Sequence, residues 1–139
     1  MTRKEQREAT FELLFEREFR LEESAEEIFA LSTENREIDT IKDKYIKDTY
    51  FGVVKHQNEI DELISKFASG WKISRFSNAT RSAIRLCVYE MLYCEDIPNT
   101  VSINEAVELV KKFDDPKSRA FTNGVLNNIK NDIEQNNGW

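Results

Sequence analysis

The chain contains few of the residues that interrupt regular structure, with only four glycines and two prolines among 139 residues. Glycine and proline are the usual residues of tight turns, and a sheet protein of this length needs many turns between its short strands. A scarcity of turn residues therefore favours a small number of long elements. On this ground we predict an all-α protein.

Apolar residues recur at the three- and four-residue spacing of an amphipathic helix along most of the chain. The clearest stripe precedes Pro98 and consists of Ala83 or Ile84, followed by Cys87, Val88, Met91 and Leu92. The one alternating segment, residues 71–76, is too short and too isolated to pair as a strand. The pattern predicts six to seven helices joined by short connections.

Residues that can cap a helix stand before several of these stripes. The capping-box signature, a serine or threonine with a glutamate three residues later, occurs at Thr2, Ser24 and Ser102. Ser77 is a further candidate cap. Another stripe, which has no such cap, begins at Ile38. We therefore expect helices to begin at these five positions.

The length fits a single domain, and a composition of 40% hydrophobic and 33% charged residues supports a core under a well-solvated surface. No apolar stretch is long enough to span a membrane, and no secretory signal is visible at the start. Cys87 and Cys94 lie on one predicted helix, about 10 Å apart along its axis, which is too far for a disulfide. We expect a soluble protein with reduced thiols, located in the cytoplasm.

Charge is distributed unevenly over a chain whose formal net charge is −6. Residues 12–43 contain eleven acidic and four basic side chains, whereas residues 63–89 contain five basic and no acidic ones. Such a separation can create a local positive field on an acidic protein, and a nucleic acid could bind there. Ordinary solvated helix faces would produce the same distribution, so both interpretations stay open.

The residues that most enzymes need are scarce. His56 is the only histidine, and the chain has no Cys-x-x-Cys or His-Glu-x-x-His spacing for a metal. The four glycines form no phosphate-binding loop or dinucleotide fingerprint. Cys87 and Cys94 fall on or beside an apolar stripe and are expected to pack in the core. We predict a protein that binds macromolecules and is not an enzyme, with no cofactor and no metal site.

Arg3, Lys4 and Arg7 group on one side of the first predicted helix, at its N-terminal end. Basic residues are unfavourable at that positive end of the helix dipole, so a cluster there suits an anionic partner. Glu5 and Glu8 reduce its net charge, and an exposed helix of mixed charge is the alternative interpretation.

Lys117, Arg119 and Phe121 stand near the start of the last predicted helix. Backbone N–H groups at a helix N-terminus bind phosphate, and nearby basic side chains add charge. Phe121 could stack on an unpaired RNA base. Its spacing to Val125 equally fits a core residue.

The order of motifs along the chain resembles that of the NusB transcription antitermination family. The N-terminal match is R-K-E-Q-R-E-A-T-F-E-L-L-F (3–15). The remaining matches are I-D-E-L-I (60–64), W-K-I-S-R-F-S (71–77), I-R-L-C-V-Y-E-M-L (84–92), D-I-P (96–98), V-S-I-N-E-A-V-E-L-V-K-K-F (101–113) and F-T-N-G-V-L (121–126). Together these segments extend over nearly the whole chain.

The resemblance implies one NusB-like RNA-binding domain, residues 1–139, built from two three-helix bundles packed at a steep angle. The corresponding helical subdomains would span about 1–56 and 57–135. It also implies binding to the boxA element of nascent ribosomal RNA, as a heterodimer with the ribosomal protein NusE. The complex would join RNA polymerase through other Nus factors and suppress premature termination. Some relatives form homodimers that hide the RNA surface.

The resemblance also implies which residues bind the RNA. Arg3, Lys4 and Arg7 match the family's basic N-terminal positions, and Phe121 matches its aromatic residue before Asn-Gly. Lys117 and Arg119 lie on the same edge. Lys117 occupies a position that is acidic in some relatives, and a base there should favour phosphate contact.

Two alternatives belong to other functional classes. A helical adaptor could bind a basic protein through residues 12–43 and bind no RNA. A related helical domain also occurs fused to RNA cytosine methyltransferases, although this chain contains no catalytic part.

Overall fold

The computed structural model describes residues 1–136, and in this part of the chain all regular structure is helical. The seven α-helices are α1 (Arg3–Arg17), α2 (Ala25–Asn35), α3 (Lys44–Lys55), α4 (Gln57–Phe67), α5 (Asn78–Tyr93), α6 (Asn99–Phe113) and α7 (Ser118–Asn136). A 3-10 turn, Ile73–Arg75, connects α4 to α5. The predicted all-α class and helix number are confirmed, and residues 71–76 contain this turn and no strand.

The helices form two compact units that are contiguous in sequence. Unit 1 is Met1–Lys55, with α1 to α3, and unit 2 is His56–Trp139, with α4 to α7.

The predicted caps are correct at three helix starts. At α1, the Glu5 N–H donates to Thr2 Oγ1 at 3.1 Å, and the Thr2 N–H donates back to Glu5 Oε1 at 2.8 Å. Ser24 Oγ accepts from the Glu27 N–H at 3.0 Å at the start of α2. Ser77 accepts from the N–H three residues later at the start of α5. Local hydrogen-bond chemistry therefore fixes these boundaries as the sequence pattern predicts.

The predicted start of α6 at Ser102 is wrong. The helix begins at Asn99, because the Pro98 carbonyl already accepts the N–H groups of Val101 and Ser102, at 3.0 and 3.2 Å. Pro98 is the N-cap residue, with φ −58° and ψ 138°, and its missing N–H removes no hydrogen bond from the helix. Ser102 therefore lies inside the helix, only 1% exposed, and does not cap it.

The predicted start of a helix at Ile38 is also wrong, because α3 begins at Lys44. The Asp39 carboxylate accepts the N–H groups of Ile41 and Lys42 at 3.0 and 3.1 Å, which stabilises a turn in place of a helix. Ile41 is consequently 91% exposed, although its spacing predicted a buried position.

In unit 1, α1 packs against α2 and α3. The fully buried side chains there include Phe11, Leu13, Ile28, Ile46 and Tyr50. The Tyr50 hydroxyl donates to the Ala25 carbonyl at 2.9 Å, so the polar end of this buried ring is satisfied.

In unit 2, α5 is the central helix and packs against α4, α6 and α7. One continuous hydrophobic cluster joins the four helices, with fully buried members that include Ile60, Ile84, Leu126 and Ile129. Phe76, in the connection before α5, belongs to this cluster, and Phe121 of α7 packs against it.

We predict that two leucines of unit 1 respond very differently to truncation. Leu13 is 0% exposed and Leu21 is 82% exposed. Leu13→Ala should lower the free energy of unfolding by about 2–5 kcal/mol, because it leaves a cavity. Leu21→Ala should change it by less than about 0.5 kcal/mol. Urea unfolding followed by circular dichroism measures both, and equal losses would contradict the described core.

Candidate nucleic-acid interface

The N-terminal basic cluster (Arg3, Lys4 and Arg7) is organised by an aromatic ring of α3. The Arg3 guanidinium lies 4.5 Å from the centroid of the Tyr45 ring, and that of Arg7 lies 6.0 Å from it. Arg3 also donates from Nε to Gln6 Oε1 at 3.1 Å. Tyr45 thus positions two of the three predicted residues through its negative ring face.

The three basic side chains differ in exposure. Arg3 and Lys4 are exposed, whereas Arg7 is only 5% exposed. An anionic ligand can reach Arg3 and Lys4 directly, while Arg7 contributes positive charge from beneath the surface. Helical spacing placed all three on one side but could not reveal this difference in depth.

Glu5 places a negative charge inside this cluster. Hydrogen bonds from the backbone N–H of Thr2 and from its side-chain hydroxyl lower the pKa of the Glu5 carboxyl below its ordinary value. The capping box therefore holds Glu5 in its charged form, which reduces the net positive charge beside Arg3 and Lys4.

Unit 2 contains a groove of about 560 Å³ between the connection that precedes α5 and the start of α7. We call this the unit 2 groove, and its lining residues are Trp71, Arg75, Phe76, Ser77, Thr80, Lys117, Ser118 and Phe121. Two of the predicted residues, Lys117 and Phe121, line it together. The third, Arg119, is exposed outside this lining and donates from Nε to the Pro116 carbonyl at 3.2 Å.

Phe121 packs partly against the core of unit 2 and partly lines the groove. Its ring packs edge-on against Phe76, with the centroids 5.2 Å apart and the planes at 86°. The residue is half-buried. The aromatic surface that remains accessible can contact a ligand.

Trp71 and Arg75 line the groove but were not selected from the sequence. Trp71 is 60% exposed, a high value for a large aromatic residue. It follows a tight turn in which Ser69 and Gly70 have φ angles of 53° and 84°, in the left-handed region that favours glycine. The signal that could have found Trp71 is a tryptophan flanked by Lys72 next to a glycine turn.

Arg81 fixes the wall of the groove that carries these residues. Its guanidinium donates to the carbonyls of Ile73 and Phe76, at 3.2 and 2.8 Å. Arg85 forms two bonds of 2.8 Å with the Asp61 carboxylate. Two of the five bases in residues 63–89 therefore support the structure, and Lys66, Lys72 and Arg75 are exposed.

Asp114, which follows α6, connects the two sides of the groove. Its Oδ2 atom accepts hydrogen bonds from the Ser77 hydroxyl and, at 2.6 Å, from the Thr80 hydroxyl. Its Oδ1 atom accepts from the Asp115 N–H at 2.7 Å. Partial burial alone would raise the pKa of Asp114, but these three bonds lower it below its ordinary value.

Other chemistry is limited in the described part of the chain. Residues 1–136 contain no group of three or more histidine, cysteine or acidic side chains that could hold a metal ion. His56 stacks on Tyr93, with the ring centroids 4.4 Å apart, and lies 3.6 Å from a Glu59 oxygen. No helix described here is both long enough and apolar enough to cross a membrane.

Comparison with known proteins gives one consistent family. The NusB family profile matches residues 4–131, which include every candidate residue except Arg3. The transcription antitermination protein NusB of Bacillus subtilis (strain 168) is 52% identical over 93 residues, which are 67% of this chain and 71% of that protein.

Solved structures give the same family. NusB of T. maritima has a TM-score of 0.86 at 33% identity, over 94% of this chain and 92% of that one. A crystal structure of the antitermination factors NusB and NusE in complex with dsRNA has a TM-score of 0.82 at 30% identity, over 95% of this chain and 99% of that one. The resemblance inferred from the motifs is confirmed.

We predict that the Asp114 carboxylate stabilises the fold in a pH-dependent way. Because its pKa is lowered in the folded chain, its contribution is present above the unfolded pKa and is lost as pH falls through the folded pKa. Asp114→Asn should lower the free energy of unfolding by about 1–2 kcal/mol near neutral pH, where charged acceptors bond most strongly. The difference from the wild type should shrink below about pH 4.

Urea unfolding over a pH series measures this difference. Asp115→Asn is the matched control, because Asp115 accepts the Lys117 N–H at 3.0 Å and an amide oxygen can accept the same bond. A loss that is equal for the two variants, or that is constant with pH, would contradict the proposed role of Asp114.

Proposed function

The chain belongs to the NusB family, and we propose that it acts in transcription antitermination by binding the boxA element of nascent ribosomal RNA as a heterodimer with the ribosomal protein NusE. The observation that carries this proposal is the unit 2 groove, where Lys117 and Arg75 stand beside the aromatic rings of Trp71 and Phe121. Cations with exposed aromatic rings are the combination that binds single-stranded RNA.

The cations would supply affinity that does not depend on sequence. Arg3 and Lys4 are exposed at the start of α1, with Arg7 beneath them. Lys117 and Arg119 are exposed at the start of α7. Phosphate contacts by such side chains release counterions from the RNA and position it, without reading its bases.

The aromatic rings would supply contacts to the bases. Unpaired bases splay out and stack on aromatic side chains, and their edges are then read by hydrogen bonds. Phe121 is the predicted stacking residue, and Trp71 lines the same groove. A ligand that combines phosphates with unpaired bases suits this groove better than a purely acidic peptide does.

The net charge of −6 does not oppose this function, because charge is separated along the chain. In the proposal the chain is one RNA-binding domain with helical subdomains of about 1–56 and 57–135. It joins RNA polymerase through other Nus factors, acts in the cytoplasm and contributes binding and no catalysis. The solved complex that contains NusB, NusE and dsRNA supports both partners.

We predict that a labelled boxA RNA binds this chain more tightly than a scrambled RNA does, and that NusE increases the difference. Fluorescence anisotropy with and without NusE measures it. Equal weak binding of both RNAs in the presence of NusE would contradict the RNA proposal and favour a helical adaptor. Sedimentation of the free chain is the control, because a homodimer that covers the RNA surface would lower affinity for both RNAs.

We also predict that Lys4 contacts a phosphate. Lys4→Ala should reduce the slope of log affinity against log salt by about 0.7, the effect of losing one contact with single-stranded RNA. Lys47→Ala is the matched control, since Lys47 is an exposed lysine of α3 in the same unit, and its slope should not change. Equal slopes for Lys4→Ala and the wild type would show that Lys4 does not contact an RNA phosphate.

A further inference from the structure

We propose that the unit 2 groove takes one unpaired nucleotide and selects bases that carry an exocyclic amino group, through the Ser77 hydroxyl oxygen, which Asp114 orients together with that of Thr80. This inference rests on the proposed function, because it assigns base selectivity to the same RNA site.

The size and lining of the groove suit a nucleotide. Its volume of about 560 Å³ falls within the roughly 300–1,000 Å³ of small-ligand sites. Trp71 and Phe121 provide ring surface for stacking, and Arg75 and Lys117 provide positive charge for a phosphate. The remaining polar side chains of the lining are hydroxyls, those of Ser77, Thr80 and Ser118.

The hydrogens of two of these hydroxyls are already committed. The Ser77 and Thr80 hydroxyls both lie within hydrogen-bond distance of Asp114 Oδ2. An ionised carboxylate has no hydrogen to donate, so each hydroxyl must donate to it. The lowered pKa of Asp114 keeps this carboxylate ionised at neutral pH.

These hydroxyls can still accept a hydrogen bond from a ligand, through their remaining lone pairs. Ser77 Oγ uses one lone pair to accept the Thr80 N–H at 3.1 Å, and both oxygens retain further acceptor capacity. Ser77 is exposed and Thr80 is only 3% exposed, so Ser77 Oγ is the acceptor that a ligand can reach. This part of the groove therefore accepts hydrogen bonds and has no hydroxyl hydrogen to give. Asp114 acts as a positioning residue, because it sets the direction of the hydroxyls without lining the groove itself.

A surface of acceptors distinguishes bases by their amino groups. Adenine and cytosine present amino donors, whereas uracil presents a carbonyl oxygen at the corresponding position. An amino group can donate a hydrogen bond to a hydroxyl oxygen. A carbonyl oxygen has no hydrogen to donate, so it cannot form a hydrogen bond with that acceptor. The donors of the lining are two cations that suit phosphate oxygens, Arg75 and Lys117, and the Ser118 hydroxyl on the α7 side of the groove. Stacking on Trp71 and Phe121 accepts any base and cannot produce this preference.

The first test compares two mononucleotides that differ by one amino group. Adenosine 5′-monophosphate and purine riboside 5′-monophosphate share the ring, the ribose and the phosphate. The full chain with Trp139→Phe keeps Trp71 as its single tryptophan, so quenching of its fluorescence reports binding in the groove. We expect purine riboside 5′-monophosphate to bind about 2- to 10-fold more weakly than adenosine 5′-monophosphate, the effect of one lost hydrogen bond. Equal affinities, or tighter binding of uridine 5′-monophosphate, would overturn the inference.

The second test changes the direction of the hydroxyls. Asp114→Asn introduces an amide that can donate to one hydroxyl, which frees a hydroxyl hydrogen for the ligand. The ratio of the affinity for adenosine 5′-monophosphate to that for purine riboside 5′-monophosphate should then fall toward one. Asp115→Asn should leave the ratio unchanged, because the Asp115 carboxylate accepts the Lys117 backbone N–H, a bond that the asparagine amide oxygen can also accept. An unchanged ratio in a folded Asp114→Asn variant would show that other groups read the base.

The result is distinguishable from failure of the proposed function. If boxA RNA binds selectively with NusE while the two purine nucleotides bind equally, the amino-group inference alone is wrong. If neither RNA nor any nucleotide binds, the proposed RNA function is wrong as well. The nucleotide comparison on the chain with native Asp114 does not depend on whether the Asp114 variant folds.

Discussion

Two hydroxyls at the start of α5 donate to one carboxylate that follows α6, and the walls of the unit 2 groove depend on this contact. Ser77 caps α5 and bonds to Asp114 with the same side chain, so a helix start and a helix end share one hydrogen-bond network. The turn that leads into α7 follows directly, and it carries Lys117 to the groove. Arg81 holds the opposite wall through backbone carbonyls. Polar contacts thus fix the groove above an apolar core.

The helical class was predictable because it depends on local patterns. Few turn residues, apolar spacing and the caps Thr2, Ser24 and Ser77 all act within a few positions of one another. The errors occurred where another local group competes for the same backbone atoms. Pro98 supplies the carbonyl that starts α6, and Asp39 stabilises a turn where spacing alone predicted a helix.

The candidate site was only partly predictable, because its parts are distant in sequence. Lys117 and Phe121 could be selected from one helix start, but Trp71 joins them only after the chain has folded. The burial of Arg7 could not be predicted for the same reason, since it depends on packing near Tyr45 of α3. Residue type indicates the chemistry that is available, and tertiary packing determines how deep each group lies.

The contiguity of the two units has a consequence for protein synthesis. The contacts that define unit 1 all join residues numbered 55 or lower, and those of unit 2 join residues from His56 onward. A ribosome releases the N-terminal part of a chain first. Every partner that α1, α2 and α3 use within unit 1 has therefore been synthesised well before the last helix, which begins at Ser118.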